Sequence, residues 1–278
     1  MKIPPALKIP LAALLLLAGF GHLRADERKP IRPLMVCGGC CHDYENQKRI
    51  LSEGISKRAN VVWTIVHEEG KDKADKTHRV SIYEKEGWEK GYDVVLHNEC
   101  FGFVDDNAFV EGIAKPHFNG LPAVVLHCST HSYRMAKTDE WRKLIGQSSF
   151  SHEARHNLDV KNLKPEHPVM KGFPAEWKDP APDELYKNEK LWPDFIPLAQ
   201  AYGVDTKKDH ACIWVNTYGK GNIFGTTLGH DNKTMESDVY LDLVARPALG
   251  DGPPERGWHP GQRLRLRWKV RVVAAKLD

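Results

Sequence analysis

Short, uninterrupted apolar runs in the first half of the chain constrain its fold more than any other feature of the sequence. They occupy residues 34–37, 61–66, 93–97 and 122–127. Between the first two runs, residues 44–59 place Ile50, Leu51 and Ile55 on one helical face. Continuous apolar strands are typical of parallel sheets buried on both faces. The sequence therefore predicts an α/β fold with a doubly wound, mostly parallel sheet and helices on both faces.

The second half of the chain predicts an antiparallel edge hairpin on this sheet. Residues 195–202, 211–215 and 223–228 are typical of strands, and the Tyr-Gly-Lys-Gly-Asn sequence at 218–222 is typical of a hairpin turn. Residues 235–245 then have helical periodicity. Residues 148–192 lack periodicity and are rich in Pro, His and acidic side chains, and so long a loop in a compact domain usually serves a function.

The two ends of the chain differ in composition from the part between them. Residues 1–25 combine basic residues, a short apolar run and a small residue before Asp26, which predicts a cleaved signal peptide and a secreted or periplasmic protein. Stable membrane insertion is not expected, because the apolar run is much shorter than the roughly 20 residues that cross a bilayer. Residues 26–245 form the predicted α/β domain. The basic, Gly-, Pro- and Arg-rich tail at 246–278 is predicted to be a loose extension, with an edge strand at 264–273 and an arm for anionic surfaces as the alternatives.

The charge distribution argues against nucleic acid as a partner. The formal net charge is +3, and the excess of basic residues lies in the two ends. Nucleic-acid binding needs a basic face with interleaved aromatic residues, which the central part lacks. We therefore expect a small molecule as the ligand of the folded domain.

The cysteines do not indicate a disulfide scaffold. Six are present, scattered through the mature part of the chain. Cys37 and Cys40 have the spacing of a redox pair or of half a zinc site, but no second pair with matching spacing follows. Buried cysteines or one structural disulfide is the favoured interpretation.

Polar residues follow the apolar runs, at the edge where an open α/β sheet binds its ligands. A glycine pair and His42 follow the first run, the third run ends in His97, His127 follows the fourth, and His230 follows a later strand. Imidazoles gathered at one edge suit either metal binding or proton transfer. The acidic, His-rich segment 148–192 is expected to fold over this edge as a lid or wall.

The candidate residues are assigned by their positions after the predicted strands and by the chemistry of their side chains. Acid–base catalysis is assigned to His42, Asp43, His127, Glu184, His230 and Asp231. Substrate binding is assigned to Gly38, Gly39, Tyr44, His97, Glu99, His131, His152 and Glu153. A divalent metal as cofactor is assigned to His127, His152 and His230. Any one of these histidines alone is more simply explained as a strand-end residue that is hydrogen-bonded to backbone, but their coincidence favours a site.

Several of these residues lie in motifs that resemble the trehalose-utilisation (ThuA-like) family. The motifs are Gly38-Gly39 with His42-Asp43-Tyr44, His127 after Ala-Val-Val-Leu, the segment 167–174, Asp183-Glu-Leu-Tyr186, and Trp-Val-Asn-Thr-Tyr-Gly-Lys-Gly-Asn-Ile-Phe-Gly-Thr-Thr-Leu-Gly-His-Asp at 214–231. The resemblance covers residues 31–245 and departs from the family's plainer glycine-rich run at Cys40-Cys41. It implies the flavodoxin-like fold of the class I glutamine amidotransferase-like superfamily and a role in carbohydrate metabolism.

The resemblance leaves two hypotheses of different classes. The first is an enzyme, a hydrolase, lyase or isomerase, that acts on a sugar or oxidised-sugar derivative by His and carboxylate acid–base chemistry with help from a divalent metal. The second is a non-catalytic carbohydrate-binding or accessory module that uses the same pocket. Glutaminase activity is not expected, because the turn that carries the amidotransferase nucleophile starts here at His127, with Cys128 one place later. A triad of Cys128 with Glu184 and either His230 or His152 would need a geometry that this offset disfavours.

Overall fold

Ten strands form one mixed sheet in the structure, a computed structural model that describes residues 29–248 and the backbone of residues 271–272. Those strands are β1 (Pro33–Gly39), β2 (Thr64–Glu69), β3 (Val94–Cys100), β4 (Ala123–Leu126), β6 (Asp159–Asn162), β7 (Glu176–Lys178), β9 (Ile196–Tyr202), β10 (Asp209–Tyr218), β11 (Gly221–Thr226) and β12 (Arg271–Val272). Two further strands, β5 (Gln147–Ser148) and β8 (Lys190–Leu191), pair with each other in a small antiparallel sheet.

The strand order confirms the predicted α/β class. The order is β12-β2-β1-β3-β4-β11-β10-β9-β6-β7, and neighbouring strands from β12 to β11 are parallel. The 2-1-3-4 order with β11 as the fifth strand is that of flavodoxin-like sheets. The predicted hairpin is present as β10 and β11. The antiparallel part continues through β9, which matches the predicted strand at 195–202, to β6 and β7, which lie in the polar segment 148–192 and are too short for periodicity to reveal.

Helices cover both faces of the sheet and give it two apolar cores. The helices are α1 (Tyr44–Ser56), α2 (Asn107–Phe118), α3 (Glu140–Ile145), α4 (Asn232–Glu236) and α5 (Asp238–Ala248). Helices α1, α4 and α5 pack on one face, and α2 and α3 pack on the other. Along β1, Met35 and Cys37 belong to the first core, whereas Leu34 and Val36 belong to the second. This burial on both faces is the reason that the strands are continuously apolar.

The ends of the described chain lie close to the predicted boundaries. Helix α5 continues through Pro247 to Ala248, past the predicted domain boundary at residue 245. The backbone of β12 pairs in parallel with β2, at the edge of the sheet, as the edge-strand alternative for the tail requires. The predicted signal peptide and residues 249–270 and 273–278 of the tail lie outside the described residues. Among the described residues, no helix combines the length and the apolar character that a membrane span requires.

Candidate functional site

Three histidines and one glutamate converge at the carboxyl edge of the parallel strands. His42 follows β1, His127 follows β4, His230 follows β11, and Glu184 comes from the middle segment. The ring centroids of the histidines lie 4.7 to 5.3 Å apart. The Glu184 carboxylate lies 3.4 Å from His127 Nε2 and 3.3 Å from His230 Nδ1. We refer to these four residues as the His–Glu cluster.

A glycine turn brings the chain from β1 to His42. Gly38 and Gly39 have φ angles of 124° and 90°. A Cβ atom on Gly38 would lie 1.9 Å from the Glu68 carbonyl oxygen, and one on Gly39 would lie 2.2 Å from the Cys100 carbonyl oxygen. Only glycine fits such a backbone between two neighbouring strands. Neither glycine lines the pocket, so the assignment of both to substrate binding is corrected to a role in shaping the turn.

Two aspartates cap the helices that begin directly after His42 and His230. Asp43 accepts a hydrogen bond from the Asn46 backbone N–H at the start of α1, and Asp231 accepts one from Lys233 at the start of α4. Their carboxylates therefore turn toward helix N-termini and line an adjoining open groove. Asp43 and Asp231 thus fix the helix starts next to the two histidines, and their assignment to catalysis stays a prediction.

Asp183, which the sequence analysis did not assign, holds three parts of the site together. Its buried carboxylate accepts hydrogen bonds from the backbone N–H groups of Gly229 (2.8 Å), His230 (3.3 Å) and Glu184 (2.7 Å). The same carboxylate lies 3.8 Å from His127 Nδ1. Asp183 lies in the Asp-Glu-Leu-Tyr motif at 183–186, but its residue type alone does not distinguish it from other acidic residues. Adjacent side chains of an extended segment point in opposite directions, which is why Asp183 faces inward while Glu184 faces the pocket.

Three ring nitrogens of the cluster are buried without a hydrogen-bond partner among the described residues. They are His42 Nδ1, His127 Nε2 and His230 Nδ1. The two that approach Glu184 lack hydrogen-bond geometry to it, although they are within ion-pair distance. His127 Nδ1 lies 2.5 Å from the Thr227 carbonyl oxygen, which can only accept, so in the neutral ring Nδ1 carries the proton and Nε2 presents a lone pair. Buried polar atoms normally have a hydrogen-bond partner, so three neighbouring ring nitrogens without one require an explanation.

The donor set of the cluster suits a divalent transition-metal ion. One ligand atom from each of the four residues lies within 4.8 Å of all the others. Three imidazoles and one carboxylate are typical ligands of such ions, and a carbonyl that holds the other ring nitrogen, as Thr227 does for His127, is the usual support for a metal-binding histidine. Of the three histidines assigned to a metal from the sequence, His127 and His230 belong to the cluster together with His42 and Glu184, whereas His152 lies beside it, with Nε2 3.6 Å from Glu184 Oε1.

The pKa values of the groups in the cluster shift in different directions. Burial, together with the neighbouring His127 and His230, lowers the pKa of His42 to about 2, so its imidazole is neutral. Burial alone would lower the pKa of His127, but the adjacent carboxylates of Glu184 and Asp183 outweigh burial and raise it. Burial alone would raise the pKa of Glu184, whereas contact with His127 and His230 holds it well below its usual range. The carboxylate is therefore ionised.

The cluster opens into a small pocket with a cavity volume of about 160 Å³. One wall is a stack of flat rings in which His131 lies on Tyr186 at 4.0 Å and 13° between planes, with His152 5.5 Å from Tyr186. His131 is neutral, because burial and the nearby Arg134 lower its pKa to about 2. Of the middle segment's residues expected at this edge, His152 and Glu184 line the pocket and Glu153 does not, and His131, assigned to substrate binding, also lines it.

Sulfur atoms form the opposite wall of the pocket. Cys40 is bonded to Cys41, and Cys100 is bonded to Cys128. The C-x-x-C pair is therefore not a redox pair, since Cys37 is a buried free thiol and Cys40 is bonded to its neighbour instead. Cys128 carries no free thiol, so the amidotransferase-like triad lacks its nucleophile.

His97 and Glu99 lie on the wrong face of the sheet for substrate binding. Both side chains are fully buried, and His97 Nδ1 contacts Glu99 Oε1 at 2.9 Å while its Nε2 contacts His117 at 3.1 Å. Strand residues alternate between faces, so residues 97 and 99 face the core under α2, whereas Cys100 faces the pocket. Their assignment to substrate binding is wrong, because position at a strand end does not fix the face.

Tyr44 and Glu153 also lie outside the pocket lining. Tyr44 is buried behind His42 at a ring distance of 5.8 Å, and its hydroxyl donates to the Cys40 carbonyl. Glu153 is buried and accepts hydrogen bonds from the backbone and hydroxyl of Thr206. Burial would raise the pKa of Glu153, but these bonds lower it to about 2. The expectation that Tyr44 and Glu153 contact substrate is corrected to structural roles.

Comparison with known proteins places the chain among relatives with this fold. The family model for ThuA, described as trehalose utilisation, matches residues 45–248. A ThuA-like protein from Parabacteroides merdae is 22% identical, with a TM-score of 0.61, over 80% of this chain and 89% of that one. A ThuA-like protein from Bacteroides uniformis is 16% identical, with a TM-score of 0.58, over 84% and 97% of the two chains. No curated protein matches the chain. At these identities the structural likeness shows the fold alone.

Proposed function

The chain belongs to the ThuA family, the family of trehalose utilisation, and from this membership and the site geometry we propose a metal-assisted enzyme that acts on a sugar or oxidised-sugar derivative. Its metal ligands are His42, His127, Glu184 and His230. The observation that carries the proposal is the convergence of three buried, unpartnered imidazole nitrogens on one ionised carboxylate. A divalent ion at this point satisfies all three nitrogens at once.

The chain's own residues supply acid–base groups and a binding surface beside the cluster. A bound divalent ion would act as a Lewis acid on a sugar oxygen. His152 Nδ1 donates to the Glu153 carbonyl oxygen at 2.8 Å, so Nε2, 3.6 Å from Glu184 Oε1, is the ring nitrogen that can exchange a proton at the pocket. The stacked rings of His131 and Tyr186 are buried and give this side of the pocket a fixed wall. These features together favour proton transfer on a bound carbohydrate.

Metal binding and turnover test the proposal on one set of variants. The purified full chain is stripped with a chelator and titrated with Zn²⁺, Mn²⁺ or Ni²⁺ by calorimetry. It is then assayed against a panel of sugars and oxidised sugars. We expect one ion per chain. His230→Ala should lose at least roughly 100-fold in ion affinity, because removing a direct ligand costs more than the 10- to 100-fold lost when a residue that hydrogen-bonds a ligand is removed. His67→Ala is the matched control, because His67 also ends a strand at this edge but pairs with Glu69 at 2.7 Å.

The outcomes separate the two classes of function. Turnover in the loaded protein that is lost in His230→Ala, with the fold retained, supports the enzyme. Sugar binding without turnover of any panel member favours the non-catalytic carbohydrate-binding module. Equal ion affinity in the parent and in His230→Ala refutes the metal site.

Export of the protein belongs to the same proposal. The signal-peptide pattern of residues 1–25 supports a secreted or periplasmic location. Two disulfides at the pocket are also typical of proteins that fold in an oxidising compartment. Fractionation of cells that express the full chain, with the amino terminus of the mature protein sequenced, tests this part.

A further inference from the structure

An arginine without an acidic partner lies at the pocket, beyond the His–Glu cluster. Arg134 lines the pocket together with Lys73. No carboxylate of residues 29–248 forms an ion pair with either side chain, whereas Arg155, in the adjoining groove, pairs with Asp231 at 3.3 Å. A half-buried cation that faces a cavity without a partner is a candidate anion site.

The surroundings of Arg134 hold its guanidinium in a defined orientation. Its Nη1 atom donates to the Phe150 carbonyl oxygen at 3.0 Å. Gly102 lies beneath it, and a Cβ atom there would come within 3.4 Å of Arg134 Nε. The preceding residue, Tyr133, is fully buried and has a φ of 55°, a strained conformation for a bulky residue. The buried Tyr133 thus holds the backbone that precedes Arg134, and the bond to Phe150 holds the guanidinium.

The donors left over on Arg134 match a carboxylate. With Nη1 bonded to Phe150, the Nε and Nη2 groups remain as two parallel donors on one edge of the guanidinium. Two parallel N–H donors bind the two oxygens of a carboxylate in a bidentate pair.

The charge balance of the pocket also favours an anion. Glu184 is the single acidic residue among those that line the pocket, and its carboxylate is already engaged by three histidines. Lys73 and Arg134 therefore leave the mouth of the pocket with an uncompensated positive charge. An anionic group on the substrate would neutralise it, and a neutral sugar would not.

We propose that the substrate is an acidic sugar, a uronic- or aldonic-acid derivative, whose carboxylate binds Nε and Nη2 of Arg134 while its hydroxyl groups reach the His–Glu cluster. This inference rests on the proposed function, because it takes the cluster as the reacting end of the pocket. Lys73 adds charge at the mouth without a fixed geometry. Arg134 is thus a specificity-determining residue.

Calorimetric titration of the Zn²⁺-loaded full chain with glucuronate, gluconate, glucose and glucose 6-phosphate tests the inference. We expect glucuronate or gluconate to bind at least 10-fold more tightly than glucose. Arg134→Gln should reduce the binding of the acid to the level of glucose, and Arg134→Lys should restore only part of it, because a lysine keeps the charge but loses the bidentate fork. Arg155→Gln, the matched control, should change the affinity for the acid less than twofold. Melting temperatures confirm that each variant is folded.

Each contrary result has a distinct meaning. Equal affinity for glucuronate, gluconate and glucose, or an unchanged affinity in Arg134→Gln, overturns the acidic-sugar inference and leaves the proposed function standing. Equal losses of affinity for the acid in Arg134→Gln and Arg155→Gln would show that the positive charge acts at long range rather than through a defined site, and would also overturn the inference. Tighter binding of glucose 6-phosphate than of either acid would overturn the carboxylate as the group that Arg134 binds and would indicate a phosphate instead. Binding of no sugar by the loaded protein overturns the proposed function and this inference together.

Discussion

Replacing Asp183 by alanine is expected to reduce both the stability of the fold and the metal affinity of the His–Glu cluster. The carboxylate is fully buried and accepts three backbone N–H groups, those of Glu184, Gly229 and His230. Two of these belong to proposed ligands of the ion, and the third belongs to the turn before His230. Alanine keeps the backbone of residue 183 but leaves all three donors without their acceptor.

The size of the loss follows from these three bonds. A hydrogen bond to a charged acceptor contributes about 1.5 to 3 kcal/mol, and the bonds of one side chain are not additive, so we expect a loss of at least about 3 kcal/mol in the free energy of unfolding. In urea this corresponds to a fall of about 1 M in the unfolding midpoint for a domain of this size. Because Asp183 orients ligands without binding the ion itself, the expected loss of metal affinity is about 10- to 100-fold.

Two measurements on the same protein check this prediction. Urea unfolding of the chelator-treated protein gives the stability without the ion, and calorimetric titration with Zn²⁺ gives the affinity. Asp194→Ala, which removes an exposed acid elsewhere in the chain, is the control and should change neither. Unchanged unfolding and unchanged affinity in Asp183→Ala would refute the positioning role. A lower stability with unchanged affinity would show that Asp183 supports the fold only.

Three further predictions follow from the buried groups. Burial and the nearby Asp183 raise the pKa of Asp179 to about 7 from 3.8, so ionisation with rising pH destabilises the native protein. Asp179→Asn should therefore gain stability over the parent between about pH 4 and pH 7, with a constant gain above that range, in thermal melts at pH 4, 6 and 8. Glu99→Gln should lower the melting temperature by several degrees and leave Zn²⁺ affinity within twofold, because Glu99 lies on the other face of the sheet. A thiol reagent should find no reactive thiol in the folded protein and two after unfolding, those of Cys37 and Cys212, and a count of four or more after unfolding would contradict the two disulfides.

The sequence by itself determined the fold class and the edge of the sheet that carries the site. Continuous apolar runs require burial on both faces, and parallel strands then bring their carboxyl ends to one edge. For this reason His42, His127 and His230 could be placed together from their positions after strands. The middle segment could be assigned to the pocket from its composition, which placed Glu184 and His152 at the pocket but also placed Glu153 there, which instead binds Thr206.

Only the tertiary structure decided which side chains at that edge share the pocket. Two neighbouring residues of a strand or extended segment face opposite sides, so His97 and Glu99 entered the other core while Cys100 joined the pocket. The pairing of Cys40 with Cys41 and the support that Asp183 gives to the cluster depend on distances across the sheet edge that no local pattern encodes. A sequence pattern has a period along the chain, whereas a binding site is defined by the directions of side chains from distant segments, and packing alone sets those directions.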